Sequence, residues 1–110
     1  MEMVNFVGVK PGDTSATTLV PAQPSGINLV GWIQVAEISG SGTTVTIDVY
    51  DGSSIAYQLG SVMPLAAREV IKESWIEEGG LPLPPGFSVR VTAGNADRLT
   101  ATAAFAPRSS

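Results

Sequence analysis

The side chains of this sequence that could do chemistry are carboxylates, because the chain has no histidine and no cysteine. Asp48 and Asp51 stand in the run Asp-Val-Tyr-Asp, and Asn95 and Asp97 flank a single alanine. Ca²⁺ prefers oxygen ligands on loops, so either pair is a candidate cation site, although neither has EF-hand spacing. The Asp51-Gly52 turn signal favours the alternative, in which these residues form turns and Asp48 is a solvated strand residue.

Catalysis has little support in the remaining residues. Without histidine or cysteine there is no Ser-His-Asp or Cys-His triad, no imidazole acid–base group, and few of the usual ligands of zinc or copper. A glycosidase needs two carboxylates facing each other across a cleft, and nothing around Glu73, Glu77 and Glu78 indicates a cleft. We therefore predict a protein that is not an enzyme and that has no cofactor and no bound metal.

The charge balance argues against two further classes of partner. Ten acidic and six basic residues give a net charge of −4, and the basic residues are scattered along the chain. Nucleic-acid binding needs clustered positive charge. No apolar run approaches the roughly 20 residues of a membrane span. We predict neither a nucleic-acid partner nor a membrane.

The elements that would position any site are β-strands. Val45, Ile47 and Val49 alternate with polar residues over 44–50, which is the period-2 pattern of a half-buried strand. Asp51-Gly52 predicts a hairpin to a strand over 55–62, and a preceding strand over 27–38 would complete a three-stranded meander. Strands over 87–92 and 98–105, joined by a turn, predict a second hairpin, and 4–9 and 17–20 are further strand candidates.

The fold class follows from these short strands and frequent turns. We expect residues 1–110 to form one all-β domain, a single antiparallel β-sandwich of jelly-roll or immunoglobulin-like type with seven or eight short strands. The segment 67–78 fits a helical stripe better than a strand, but a lone short helix is marginal unless it packs. We predict an extended segment there, with at most one short helix. Trp32, Tyr57, Phe87 and Phe105 fit positions that face the core.

Four short motifs occur in a characteristic order. They are NLVGW at 28–32, IDVYDG at 47–52, LGSVMPL at 59–65 and LPPGFSVRV at 83–91. Together they resemble small β-sandwich virion proteins of tailed bacteriophages, over about residues 27–105. The resemblance implies a capsid decoration or cement protein, or another head or tail accessory, often trimeric and without catalytic residues. The acidic, tryptophan-containing segment 68–78 departs from the pattern.

This resemblance and the lack of reactive groups favour a structural protein of the capsid surface, assembled in the host cytoplasm. Its partners would be the major capsid protein and copies of itself, in a trimer. The competing hypothesis is a carbohydrate-binding or receptor-contact module that uses Tyr50 or Trp75. We predict that the protein interface uses apolar residues near the N-terminus and near position 75: Met3, Val4, Phe6, Val7, Trp75 and Ile76. Ordinary packing in the core or at a sheet edge is the alternative for each of them.

Overall fold

Nine β-strands make up the fold in the computed structural model, which describes residues 5–108. Their bounds are β1 Asn5–Val9, β2 Thr17–Val20, β3 Ile27–Glu37, β4 Thr43–Tyr50, β5 Ile55–Leu65, β6 Val70–Ser74, β7 Leu81–Leu83, β8 Ser88–Ala93 and β9 Leu99–Arg108. A 3₁₀ turn at Ile76–Glu78 is the one helical element within this described range.

The strands form two antiparallel sheets that pack face to face. The larger sheet has the order β1-β9-β3-β6, with β7 also paired to β3, and the smaller sheet has the order β2-β8-β4-β5. The first strand therefore lies beside the last, and the chain repeatedly crosses from one sheet to the other. The expected all-β antiparallel sandwich is confirmed, and of its two suggested types the strand order is that of a jelly roll.

Two of the expected strand pairings are wrong. β3 and β4 lie in different sheets, so there is no meander, and β8 and β9 are likewise separated. Only the β4–β5 hairpin is confirmed among these pairings. The glycines of the β3–β4 loop, Gly40 and Gly42, have φ of 82° and 79°, values that let the chain turn across the sandwich. Alternation shows which face of a strand is buried, but it does not show which strand lies beside it.

The segment 67–78 is extended, as predicted, and it ends in the short 3₁₀ turn. β6 pairs with β3 from Val70 to Ser74, because the edge of β3 would otherwise be unpaired there. The chain then adds one strand beyond the expected seven or eight, since Leu81–Leu83 pairs with the first part of β3. Its Pro82 is tolerated because β7 is an edge strand.

The core lies between the inner faces of the two sheets. The larger sheet contributes Val30, Ile33, Val35, Leu99, Ala101, Ala103 and Phe105, and the smaller sheet contributes Val45, Ile47, Val49, Val89, Val91 and Ala93. Two aromatic assignments to the core are wrong. Tyr57 is 43% exposed on the edge strand β5. Trp32 faces outward, because a bulge between Val30 and Trp32 shifts the alternation of β3.

Candidate interaction surface

Two aromatic side chains meet on the outward face of the larger sheet. Phe6 in β1 and Trp32 in β3 both lie opposite Ala104 of β9, which runs between them. Their ring centroids are 6.4 Å apart and the rings are tilted by 44°. Phe6 is 70% exposed, whereas Ala104 is fully buried even though it faces outward. The ammonium of Lys72 lies 5.0 Å from the centroid of the Trp32 ring. We call Phe6, Trp32, Lys72 and Ala104 the aromatic face.

The surroundings of the aromatic face are largely uncharged. The strand registers place Gln34, Ala36, Thr100 and Thr102 on the same outward side, in the middle of the sheet. Val70 of β6 lies opposite Ala36 and is also exposed. Cores of protein interfaces are depleted in charged residues and enriched in aromatic ones. In this composition the outward side of the larger sheet resembles the core of a protein interface.

A second apolar feature lies on the side of the sandwich where β5, an edge strand of the smaller sheet, lies near β6, an edge strand of the larger sheet. A small cavity of about 30 Å³ opens there, and we call this side the seam. The larger sheet lines it with Ile33, Val35, Ile71 and Glu73, the smaller sheet lines it with Ile47, Leu59 and Met63, and Trp75, directly after β6, completes the lining. A space of this size holds about two water molecules, so it is too small for a drug-sized ligand or a sugar.

The predicted interface residues fall on separate surfaces. Phe6 belongs to the aromatic face, and Val7 points to the other side of β1 and packs against the core. Trp75 also packs against the core, at the seam, and Ile76 is exposed at the start of the 3₁₀ turn. Because β1 and β6 are opposite edges of the larger sheet, these residues do not form one patch. Met3 and Val4 lie outside the described residues.

The aromatic face itself was missed by the sequence analysis. A strict period of two places Trp32 on the same face as Val30 and therefore predicts a core position, and it gives Lys72 no role. One available signal was Gly31, since a glycine inside a strand often marks a bulge. The neighbouring position of Phe6 and Trp32 depends on the pairing of β1, β9 and β3, which no local pattern specifies.

The Asp48 carboxylate is buried rather than solvated, so that expectation is wrong. It accepts a hydrogen bond from Nε of Arg90 at 2.9 Å, and the two form a salt bridge across β4 and β8. The same guanidinium lies 3.8 Å from the centroid of the Tyr50 ring. Arg90 therefore pairs with the Asp48 carboxylate, which could have bound a cation. It also covers the Tyr50 ring, which could have stacked on a sugar.

Asp51 acts as a turn former, as its Asp-Gly sequence indicated. Its Oδ1 accepts the backbone N–H groups of Ser53 and Ser54, each at 2.8 Å. These hydrogen bonds, that of Ser54 foremost, lower the pKa of the Asp51 carboxyl. Asn95 accepts a hydrogen bond from the hydroxyl of Thr43, and Asp97 has a φ of 60° in the turn before β9. Both are engaged in loop structure.

Glu37 is a polar centre that the sequence analysis did not single out. Its carboxylate is 2% exposed at the end of β3 and accepts a hydrogen bond from the hydroxyl of Ser39. It also accepts the backbone N–H groups of Gly40 at 2.8 Å, Gly42 at 3.1 Å and Arg68 at 3.1 Å. Led by the Ser39 bond, these donors lower the pKa of Glu37 to about 2. The carboxylate thus joins the β3–β4 loop to the β5–β6 turn.

No helix of the described residues is long and apolar enough to cross a membrane. Within residues 5–108, no three side chains of the aspartate or glutamate type converge as a set of metal ligands.

Comparison with known proteins gives structural likeness alone. No protein family matches the chain, and no curated protein matches its sequence. The core of Drosophila NLP, described in terms of pentamer formation and histone binding, has a TM-score of 0.53 at 12% identity, over 92% of this chain and 97% of its own. The extra small virus particle of the prawn Macrobrachium rosenbergii has a TM-score of 0.51 at 10% identity, over 92% and 73%.

A pentameric capsid protein from metagenomic phage sequences is also similar. Its TM-score is 0.48 at 17% identity, and the match covers 98% of this chain but only 62% of the length of that capsid protein. The structural neighbours thus include viral and phage capsid proteins, and at these identities the likeness establishes the shared β-sandwich fold.

Proposed function

We propose that this chain is a non-enzymatic structural protein of a virion, most specifically a capsid decoration or cement protein. The observation that carries the proposal is the jelly-roll order of the two sheets combined with the aromatic face on the outward side of the larger sheet. Jelly rolls recur in viral capsid domains, and one such particle protein shares this fold. The motif order at residues 28–91 supports the tailed-bacteriophage type.

The proposed protein acts as a single domain on the capsid surface, after assembly in the host cytoplasm. Its partners are the major capsid protein and copies of itself. One small domain offers little surface, whereas a standard interface takes about 800 Å² from each partner. Several linked weak contacts raise the overall avidity without new chemistry, so a cyclic oligomer suits a repeating lattice. We keep the trimer as the proposed state, and the pentamers named for two neighbours are its competitor.

We propose that the aromatic face and Ile76 contact the capsid lattice, together with Met3 and Val4. Val7 and Trp75 pack against the core of their own chain, so their contribution to a partner is proposed to be smaller. The carbohydrate-binding alternative loses support for its two named aromatics. Arg90 covers the Tyr50 ring, and Trp75 lines the seam.

The test is co-assembly with the major capsid protein encoded in the same genome. The chain is expected to sediment with the particles at a fixed stoichiometry. Trp32→Gln is expected to reduce the bound amount by about tenfold, because a large apolar contact is lost at the centre of the aromatic face. Ile55→Gln is the matched control, since Ile55 is exposed on the smaller sheet, and it is expected to bind normally.

Particles that leave the chain unbound at micromolar concentrations would contradict the proposal. Full binding by the Trp32→Gln variant would contradict the role of the aromatic face in that binding. Glycan binding by the purified chain, together with failure to bind particles, would favour the carbohydrate-binding alternative.

A further inference from the structure

We propose that β1 is a self-pairing edge, through which two copies of this chain join their larger sheets into one continuous antiparallel sheet. The proposed partner is a second copy related by a two-fold axis at Val7, and this contact is additional to the three-fold contacts of the proposed trimer. This pairing depends on the edge strands alone and is independent of the virion function.

β1 is an edge without the usual protection against strand pairing. It is the outermost strand of the larger sheet and pairs on one side with β9 from Asn5 to Val9, with an unbroken register. Its five residues, NFVGV, contain no charge and no proline. Among the described residues, no backbone hydrogen bond reaches its other side. Native proteins commonly block such an edge, because its free N–H and C=O groups are a template for another strand.

The other three edges of the sandwich are blocked. β5 has three register shifts against β4, a φ of 45° at Val62, and Pro64. β6 carries Lys72 and Glu73, and β7, on the same edge, carries Pro82. β2 has only four residues and contains a register shift. β1 leads into Lys10 and Pro11, but within its five residues it has no charge, no proline and no register shift, which indicates an edge that can pair.

The sequence of β1 is complementary to itself in one register. A two-fold axis at Val7 places Val7 opposite its own copy and Phe6 opposite Gly8 of the second copy. Each outward Phe6 ring would then lie over a residue without a side chain, and the two rings would be diagonal neighbours, about 7–8 Å apart between backbones. Five residues in this register exchange roughly four to six backbone hydrogen bonds.

Gly8 has no explanation within its own chain. It is not among the residues with positive φ, and a Cβ there would lie 3.4 Å from Cγ2 of Thr102, an ordinary contact. A glycine inside a strand weakens it, and it often marks the close approach of another group. In the proposed dimer, that group is the Phe6 ring of the second copy.

The first experiment is sedimentation equilibrium of the purified full chain over about 5–500 µM, since an interface smaller than the usual 800 Å² per partner forms a weak dimer. A reversible dimer contact is expected. Phe6→Lys is expected to weaken it about tenfold or more, because the two lysines would repel each other as diagonal neighbours across the pair. Ile55→Lys is the matched control for the added charge and is expected to change the affinity less than about twofold.

The second experiment tests the register by disulfide formation, since the chain has no cysteine of its own. In Val7→Cys the two thiols face each other across the axis, where paired Cα atoms are about 4.5–5.5 Å apart. In Asn5→Cys they are four positions out of register, or about 14 Å apart. Oxidation is therefore expected to cross-link Val7→Cys at least about fivefold faster.

The proposal would be overturned by a strict monomer over the whole concentration range, or by a dimerisation step whose affinity Phe6→Lys leaves unchanged. Equal cross-linking of the two cysteine variants would overturn the register. These measurements use the purified chain alone, so they can fail while particle binding succeeds, and the reverse also holds.

Discussion

At the scale of single residues, the notable polar groups are carboxylates that organise the chain rather than react. Glu37 collects four donors from two different loops, and Asp48 is held by Arg90 of the neighbouring strand. A buried carboxylate is stable only when such partners satisfy it. Removing Arg90 would leave Asp48 as an uncompensated charge, so this pair belongs to the stability of the sandwich.

Glu37 makes the acid stability of the protein testable. Its pKa is lowered from 4.5 to about 2 in the folded state, so its stabilising contribution is complete above about pH 4.5 and is lost as the pH falls towards 2. We expect the Tm of the native chain to fall in this window, and Glu37→Gln to have a lower Tm at pH 7 but a smaller fall below pH 4.5. Thermal denaturation followed by circular dichroism measures both.

The control for this prediction is Glu77→Gln in the exposed 3₁₀ turn, where the acid dependence should be that of the native chain. A Glu37→Gln variant whose Tm falls as steeply as the native Tm between pH 4.5 and 2 would show that other carboxylates cause the acid loss.

At the scale of elements, bulges decide which side chains become surface. The bulge in β3 turns Trp32 outward, and the irregular register of β5 places Val62 at a φ of 45°, which is unfavourable for a β-branched residue. Thr46 of β4 supports this irregularity, because its Oγ1 accepts the backbone N–H of Val62 at 2.9 Å. The edge strand β5 is therefore held in a shape that resists further pairing.

Replacing Thr46 by valine tests this support. Thr46→Val keeps the shape and the β-branched side chain but removes the acceptor, so we expect a loss of about 1 kcal/mol in the free energy of unfolding. Thr92→Val is the matched control, since Thr92 lies opposite Thr46 on β8 and makes no side-chain hydrogen bond with the described residues. Urea denaturation of both variants is the measurement. Equal losses would mean that the Thr46 hydroxyl does not stabilise the bulge.

At the scale of the whole molecule, the two sides of the sandwich differ. On one side β1 and β2 contact each other. On the other side, the seam, a small cavity lies between β5 and β6. The central strands β3, β4, β8 and β9 contain most of the fully buried side chains. Local opening should therefore begin at the seam, because elements with few buried apolar contacts open at low free energy.

Hydrogen exchange of the native protein tests this asymmetry within one experiment. β3 and β5 both have eleven residues, but β3 lies between paired strands and β5 is an edge. We expect the amides of β5 to exchange at least about tenfold faster than those of β3. Equal protection of the two strands would mean that the seam is closed in solution.

The sequence by itself determined the period-2 strands, the Asp51 turn, the β4–β5 hairpin and the absence of imidazole and thiol chemistry. These follow from residue types and from contacts between residues close along the chain. Only the tertiary structure decided that β3 and β4 belong to different sheets and that Asp48 pairs with Arg90, 42 positions away. Only the tertiary structure also placed Phe6 beside Trp32. The reason is physical: alternation fixes the buried face of one strand, whereas its neighbours are chosen by long-range packing that no local pattern encodes.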